Sequence, residues 1–324
     1  MVETYIYNIS SQAYRKMLQD VVNLGNIEVV RDRETKEILN SVLEIKQPMK
    51  RVMLVPGRRW NPWIAMSEGL WLIAGLDTIK EIEPYNHGIK NFSDDGHTLN
   101  GAYGKRLAKT VLEAVQMLQR DPQSRRVVLP IFWPKDTGYH SLDIPCNTSL
   151  MIKVRDNRLH TVITNRSNDI HWGLFAVNIS QFSIFTEAIG VVTGHKLGTQ
   201  LHMSQSLHVY TDEIGQNITD LMYAHMNTPE PSYPNKIASM EMGFDEFRQD
   251  WAAMRKYATA ALRGEQIKIP LWFQFARLFL GIYRNNASKE AKIREFNIFK
   301  KQYKGLGFDD WLMAGSYFLW GEYE

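Results

Sequence analysis

The chain has 324 residues, with 38 Lys and Arg against 35 Asp and Glu and a formal net charge of +3. So small a net charge at this length argues against a protein built mainly on a basic nucleic-acid face. Its 44% hydrophobic and 23% charged residues are the balance of a globular protein, and a lone cysteine, Cys146, excludes an intramolecular disulfide or a Cys-rich zinc site.

The N-terminus, MVETYIYNIS, carries no basic segment leading into an apolar core. The first helix is expected over Ser10 to Leu24, where Ala13, Met17, Leu18, Val21 and Val22 share one face and Gly25 follows as a cap. Trp63 to Gly75 reads as a buried helix with one acid, Glu68, in its middle. Lys105 to Arg120 repeats helical spacing through Leu107, Val111, Leu112, Val115 and Leu118, and Asp121-Pro122 stops it. Val127 to Trp133 is a short run of β-formers. Thr148 to Val154 and Leu159 to Thr164 read as strands joined across Arg155-Asp156-Asn157. Asn178 to Gly194 returns to helical spacing, and His202 to Ser206 fits one more strand. Asn227 to Asn235, with Pro229, Pro231 and Pro234, marks a loop. Beyond it the chain is helical and aromatic-rich, with an amphipathic stretch from Lys289 to Tyr303. No apolar run is read as long enough, at about 18–20 residues, to span a bilayer, so the protein is expected to be cytoplasmic with no membrane partner. Helices and strands without regular alternation predict an α+β fold and weigh against a doubly wound sheet.

Four polar clusters are candidates for chemistry. Cys146 lies in Asp143-Ile-Pro-Cys-Asn147 just before a predicted strand; a lone cysteine is commonly a small buried hydrophobe, but its neighbours here are polar and Pro145 fixes the backbone before it. Asn165-Arg166-Ser167-Asn168-Asp169 is either a plain loop or a place where an arginine holds a phosphate and lowers the pKa of a nearby thiol. Ser124-Arg125-Arg126 opens a strand, where adjacent arginines are solvated, bind an anion or meet another subunit. His208-Val209-Tyr210 puts two hydrogen-bonding rings on one side of an extended segment, which suits a sugar hydroxyl and equally an amphipathic strand end.

In this order the segments resemble the folate-dependent thymidylate synthase family, from about Val30 to Tyr210. Arg31-Asp32-Arg33 is similar to the family's N-terminal phosphate loop, Glu68-Gly-Leu-Trp71 to its glutamate-bearing helix, and Leu99-Asn-Gly-Ala-Tyr103-Gly104 to its tyrosine-glycine segment. Asp121-Pro-Gln-Ser-Arg125-Arg126 resembles the paired-arginine motif, Pro145-Cys146 the nucleophile, Arg166-Ser167-Asn168-Asp169 the phosphate and base turn, and His208-Val-Tyr210 the sugar-binding pair. The resemblance implies one domain over 1–324, a layered mixed sheet with surrounding helices, and a divergent helical region from about 227 to 324. It implies a homodimer in which Arg125 and Arg126 serve the partner's site, and no obligate nucleic acid. Its ligands would be a pyrimidine nucleoside monophosphate and 5,10-methylenetetrahydrofolate as co-substrate, with no metal.

The residue chemistry fits. A thiolate adding at C6 of a pyrimidine makes C5 nucleophilic enough to take an activated one-carbon unit. Cys146, Glu68, Tyr103 and Asp169 are the expected catalytic set, with Glu68 at a raised pKa managing protons and Arg166 favouring the thiolate. Arg33, Arg125, Arg126, Arg166 and Ser167 would clamp the 5′-phosphate, and Asn178, His208 and Tyr210 would hold base and sugar.

Three departures bear on the product. Asn147 follows the nucleophile where thymidylate-forming members usually have His. Ile89-Lys-Asn-Phe92-Ser-Asp-Asp-Gly96 replaces a tryptophan-containing segment that shields the reactive methylene from water, and Trp320-Gly-Glu-Tyr-Glu324 replaces a short apolar tail. Hydride transfer gives a methyl group, whereas water in a less sheltered site gives a hydroxymethyl group. Deoxyuridylate to thymidylate is the leading expectation; hydroxymethylation of deoxyuridylate or of a cytidylate, and an inactive nucleotide- or RNA-binding relative, stand as alternatives. Base choice turns on register. Asn178 reads uracil, but Asp169 to Asn178 is one residue longer than the usual spacing, and an ungapped register puts Val177 there. Lys135 is close enough to the arginine-bearing strand to leave ribose against deoxyribose open.

Overall fold

A thirteen-residue strand begins where the sequence reading expected only a phosphate loop. In the computed structural model, which describes residues 3–285 and 287–321, Asn26–Val30 (β2) and Arg33–Ile45 (β3) form an antiparallel hairpin. Arg31 and Asp32, at φ 52° and 60°, make its two-residue turn, the positive-φ pair that matches the twist of a hairpin. Before it come Glu3–Tyr7 (β1) and the helix Ser10–Leu24 (α1), whose bounds are those the periodicity predicts. The last three residues of the C-terminal departure, 322–324, lie outside the described residues.

The remaining sheet elements are Val128–Pro130 (β4), Asn147–Arg155 (β5), Arg158–Asn165 (β6), Asn168–Asp169 (β7) and Lys196–Tyr210 (β8). They form one mixed sheet in the order β1-β3-β8-β6-β5-β4, with β2 beside β3 and β7 beside β8. The pair β6–β8 is parallel and β3–β8 antiparallel, so β8 ties the N-terminal strands to the hairpin of β5 and β6. That hairpin turns at Asp156 and Asn157, again at positive φ.

The helices are Pro62–Ala74 (α2), Tyr103–Leu107 (α3), Thr110–Arg120 (α4), Ile179–Thr193 (α5), Glu213–Ala224 (α6), Trp251–Arg263 (α7), Leu271–Arg284 (α8), Lys289–Tyr303 (α9) and Asp309–Trp320 (α10). The helix α2 starts cleanly because Asn61 Oδ1 accepts from the Trp63 and Ile64 N–H groups while Pro62 fills the first position. All but one residue of α5 are buried, and it packs between the sheet and α2, with α7 and α8 on the far side of α2. Trp63 on α2 stacks on Phe279 of α8 at 4.8 Å and donates its indole N–H to the Phe279 carbonyl at 2.7 Å. Burying an aromatic of that size is worth a few kcal/mol, roughly 2–3, so the C-terminal helices share the core that holds Glu68.

Several boundaries differ from the sequence reading. The run from Lys105 to Arg120 is two helices, broken at Ala108 and Lys109. Only Val128–Pro130 of the run to Trp133 pairs as a strand, because the Ile131 and Phe132 N–H groups both turn onto the one Thr148 carbonyl, at 2.9 and 3.0 Å, and break the ladder. The strand expected at His202 to Ser206 extends from Lys196 to Tyr210. Finally, Ile170–Thr193 is long and apolar enough, by length and composition, to cross a membrane, contrary to the sequence reading; it lies almost wholly buried as a core helix.

Candidate active site

Cys146 sits on a loop that Arg166 holds in place. The Arg166 backbone N–H donates to the Cys146 carbonyl at 2.9 Å. Its guanidinium donates to the Pro145 and Ile144 carbonyls, each at 2.9 Å, and places Nη2 3.7 Å from Cys146 Sγ. Cys146 is exposed at the cleft, yet the protein around the sulfur desolvates it. Burial pushes the thiol upward, Asp143 and Asp169 add to that, and Arg166 and Arg31 pull it down. The sequence reading expected Arg166 to favour the thiolate; it does so, but burial outweighs it.

Glu68 lies in the middle of α2 and Tyr103 at the start of α3. Burial raises the Glu68 carboxyl to about 7, opposed by a hydrogen bond from Asn86. Tyr103, at the start of α3, is held well above its usual pKa by burial and then by Cys146, and Asp143 and Glu68 add to the effect. Its ring stacks against Phe182 of α5 at 6.0 Å. Cys146, Glu68 and Tyr103 are therefore each within electrostatic reach of Asp143.

The turn after β6 forms the floor. Asp169 caps the next segment by accepting from the Trp172 N–H, and burial raises it to about 6. Its Oδ2 is buried without a hydrogen-bond partner. Ile170–Asn178 winds as a π-helix, in which the Ile179 N–H reaches the Leu174 carbonyl five residues back. At the end of this wide turn Asn178 Nδ2 donates to Asn168 Oδ1 at 3.3 Å. Asn168 Nδ2 donates in turn to Ser204 Oγ at 3.2 Å. A Cβ on Gly173 would fall 2.8 Å from Asn168 Oδ1, so a larger residue there would push the Asn168 amide aside. Ser167, half-buried, lies between Arg166 and this pair.

His208 and Tyr210 meet edge to face at 5.4 Å at the end of β8. Burial lowers His208 to about 4, leaving it a neutral ring. Arg33 lies over the Tyr210 ring at 3.6 Å and pairs with Asp212; both Arg33 and Arg31, in the hairpin turn, act on Tyr210, and the charge of Arg31 also reaches Cys146. Arg125 and Arg126 stand apart from this group. Both are exposed beside the edge strand β4, and neither side chain has an ion-pair partner among the described residues. Lys135 is held over the Trp133 and Tyr139 rings. Asn147 is fully buried and donates to Asn165 Oδ1, so it braces β5 against β6.

The sequence reading did not single out Asn86, Arg31, Asn168, Asp143 or Arg58. Arg31, Asn168 and Asp143 each lie inside a motif already quoted. Arg58, buried, donates to the His171 carbonyl at 2.9 Å and lies 5.7 Å from the exposed Trp172 ring; its paired position beside Arg59 was the available signal. Asn86 had none.

A thiol on an arginine-tethered loop, with a half-buried acid and a tyrosine within electrostatic reach, is the kind of arrangement that a cysteine nucleophile uses. The family model described as thymidylate synthase matches residues 12–269, and the chain belongs to the thymidylate synthase family. It is 33% identical over 227 residues to a deoxyuridylate hydroxymethyltransferase of Bacillus phage SP01, covering 65% of this chain and 59% of that one. To a deoxyuridylate hydroxymethyltransferase of Pseudomonas phage M6 it is 30% identical over 198 residues, covering 57% and 56%. To thymidylate synthase 1/2 of Encephalitozoon cuniculi (strain GB-M1) it is 25% identical over 155 residues, covering 48% and 50%. The chain thus spans between half and three-fifths of the length of these relatives.

Proposed function

We propose that this chain transfers a one-carbon unit from methylenetetrahydrofolate to C5 of deoxyuridylate and releases it as a hydroxymethyl group. The observation that carries the choice of product is the wall between Glu68 and Tyr103. Residues 87–97 there are almost all exposed, contain no tryptophan, and are organised by Asp95 accepting from the His97 and Thr98 N–H groups, each at 2.7 Å. A wall of that kind admits water, and water competes for the reactive methylene. The names of the two phage relatives agree with this reading.

The residues fit a folate. The unpartnered Asp169 Oδ2 suits a hydrogen-bond-donating heterocycle, and the exposed Trp172 offers it a face. Asp169 and Trp172 would hold the co-substrate, which supplies carbon at the oxidation level of formaldehyde. Cys146 adds through sulfur to C6 of the uracil, which makes C5 the nucleophile. Arg166 both aims the sulfur and offers charge to the 5′-phosphate. Asn178, oriented by Asn168, presents a carbonyl to N3–H and an amide N–H to O4, the pattern of uracil. Glu68, near neutrality in its pKa, takes and returns protons, with Tyr103 within reach of its charge. His208 and Tyr210 serve the sugar hydroxyl.

Half-exposed side chains supply a pairing face for a homodimer. Val42, Met151, Val162, Leu201 and Met203 line up across β3, β8, β6 and β5 on one side of the sheet, with registers Val42↔Met203, Met151↔Val162 and Val162↔Leu201. Pairing there leaves Arg125 and Arg126 available to a neighbour's phosphate. The test is the product of deoxyuridylate and methylenetetrahydrofolate, read by mass together with the folate by-product. A hydroxymethyl nucleotide with tetrahydrofolate supports the proposal; a methyl nucleotide with dihydrofolate makes the chain a thymidylate synthase and overturns it.

A further inference from the structure

We propose that Asp143 orders the water consumed in the reaction and takes its proton, a role that rests on the hydroxymethylation reading above. Asp143 stands three residues before the nucleophile, and its placement is built from both sides. From the Tyr103 side, the Gly101 N–H donates to Asp143 Oδ2 at 2.6 Å and Asn100 Nδ2 donates to the Asp143 carbonyl at 3.0 Å. A Cβ on Gly101 would fall 2.8 Å from Asp143 Oδ1, so the glycine is what lets the carboxylate in. From the nucleophile side, the Asp143 N–H donates to Ser141 Oγ at 3.1 Å, while Asp94 accepts from Ser141 Oγ and from the Leu142 N–H at 2.8 Å.

The carboxylate so placed is half-buried, and among the described residues Gly101 is its only hydrogen-bond donor. Arg106, the cation that acts on it, is committed to a buried pair with Asp136. A partly desolvated carboxylate oxygen with no protein donor holds water. Asp143 is held by Gly101 and Asn100, just before Tyr103, and lies three residues from Cys146, so its carboxylate keeps that water beside both, and its charge acts on Cys146, Tyr103 and Glu68.

The step balances. The water oxygen bonds to the exocyclic methylene on C5, and its proton passes to the Asp143 carboxylate and then to solvent. The electron pair of the methylene double bond moves into the ring, the C6–sulfur bond breaks, and Cys146 leaves as thiolate while the 5,6 double bond reforms. No oxidant or reductant is needed.

A purely structural role is separable, since an asparagine accepts the Gly101 bond equally well. The test uses Asp143→Asn, with tritium release from C5 reporting formation of the methylene and hydroxymethyl nucleotide reporting its capture by water. The expected result is tritium release near the wild-type rate, an unchanged KM for deoxyuridylate, and hydroxymethyl product down by roughly 10²-fold. Added 2-mercaptoethanol should then trap the methylene as a thioether nucleotide. Gly101→Ala, which displaces the carboxylate without removing it, should give the same partition. Wild-type rates in both readouts overturn the proposal, and so does a parallel loss of both, which is what a structural role gives. If the unaltered enzyme forms a methyl product, the hydroxymethylation reading fails; if it forms the hydroxymethyl product and Asp143→Asn does too at full rate, only the role of Asp143 fails.

Discussion

Arg166 Nη2 lies 3.7 Å from Cys146 Sγ while the same guanidinium donates to the Pro145 and Ile144 carbonyls at 2.9 Å. One side chain therefore fixes the loop and offsets the burial that disfavours the thiolate. Replacing Arg166 by Ala removes both effects. Alkylation of Cys146 by iodoacetamide should slow roughly tenfold at neutral pH, and its pH profile should move upward, because a thiol without that charge ionises later. An unmoved profile would mean that Arg166 acts on the backbone alone.

Asn178 is expected to set the base. In Asn178→Asp, a carboxylate can accept from the exocyclic amine of cytosine, so the ratio of kcat/KM for deoxyuridylate over deoxycytidylate should fall by about 10-fold or more. Asn168→Ala, which removes the acceptor that orients Asn178, should weaken uracil preference without creating one for cytosine. An unchanged ratio in both variants would show that Asn178 does not read the base.

Asp310 links stability to pH. It is buried, accepts from Tyr233 Oη at 3.1 Å and from the Trp311 N–H, and burial raises it from 3.8 to about 7. Between those values the folded chain binds a proton that the unfolded chain has released, so stability falls as pH rises through the window and the loss is complete above about 7. Glu68 has the same sign between 4.5 and about 7. Thermal denaturation of Asp310→Asn should show a shallower decline in Tm over that range than the unaltered chain; an equal slope would assign the linkage elsewhere.

Arg125 and Arg126 are expected to act in trans. Arg126→Ala and Cys146→Ser should each be nearly inactive alone, the serine variant still binding deoxyuridylate. Mixed after subunit exchange, they should regain about a quarter of wild-type activity at equal amounts, because half the dimers are hybrids with one intact site each. No recovery after demonstrated exchange would place both arginines outside the site.

Much of this was legible in the sequence, for definite reasons. Residues Ser10–Leu24 and Lys289–Tyr303 appear with the predicted bounds, since their apolar residues keep helical spacing, and Ser288 caps the start of the second. The β5–β6 hairpin was readable from Asp156-Asn157, two residues tolerant of positive φ. The β2–β3 hairpin was not. Its strands carry Glu28, Glu34, Lys36 and Glu37, and a charged, half-exposed strand lacks the apolar alternation that marks burial. In β8, Gly198 and the run of Gln, Ser and Thr residues hid all but the middle. At the site, the motifs singled out Cys146, Glu68, Tyr103, Asp169 and Arg166, among which Cys146 feels the charges of Arg166 and Asp169, and Tyr103 those of Cys146 and Glu68. They missed Asn86 because a loop asparagine gains its meaning only from what lies across the cleft.

The π-helical turn from Ile170 to Asn178 has a consequence for descent as well as for geometry. A single inserted codon in an ordinary helix would rotate every later side chain by about 100° and scramble the core face of α5. Taken up as one wide turn, such an insertion would leave Phe182, Phe185 and Ile189 buried as they are here and shift only the residues before α5. Such a lineage can retune the floor of its pocket in one genetic step while the scaffold behind it stays as it was. If Asn178 reads the base, a comparison that forbids gaps within helices would put Val177 in its place.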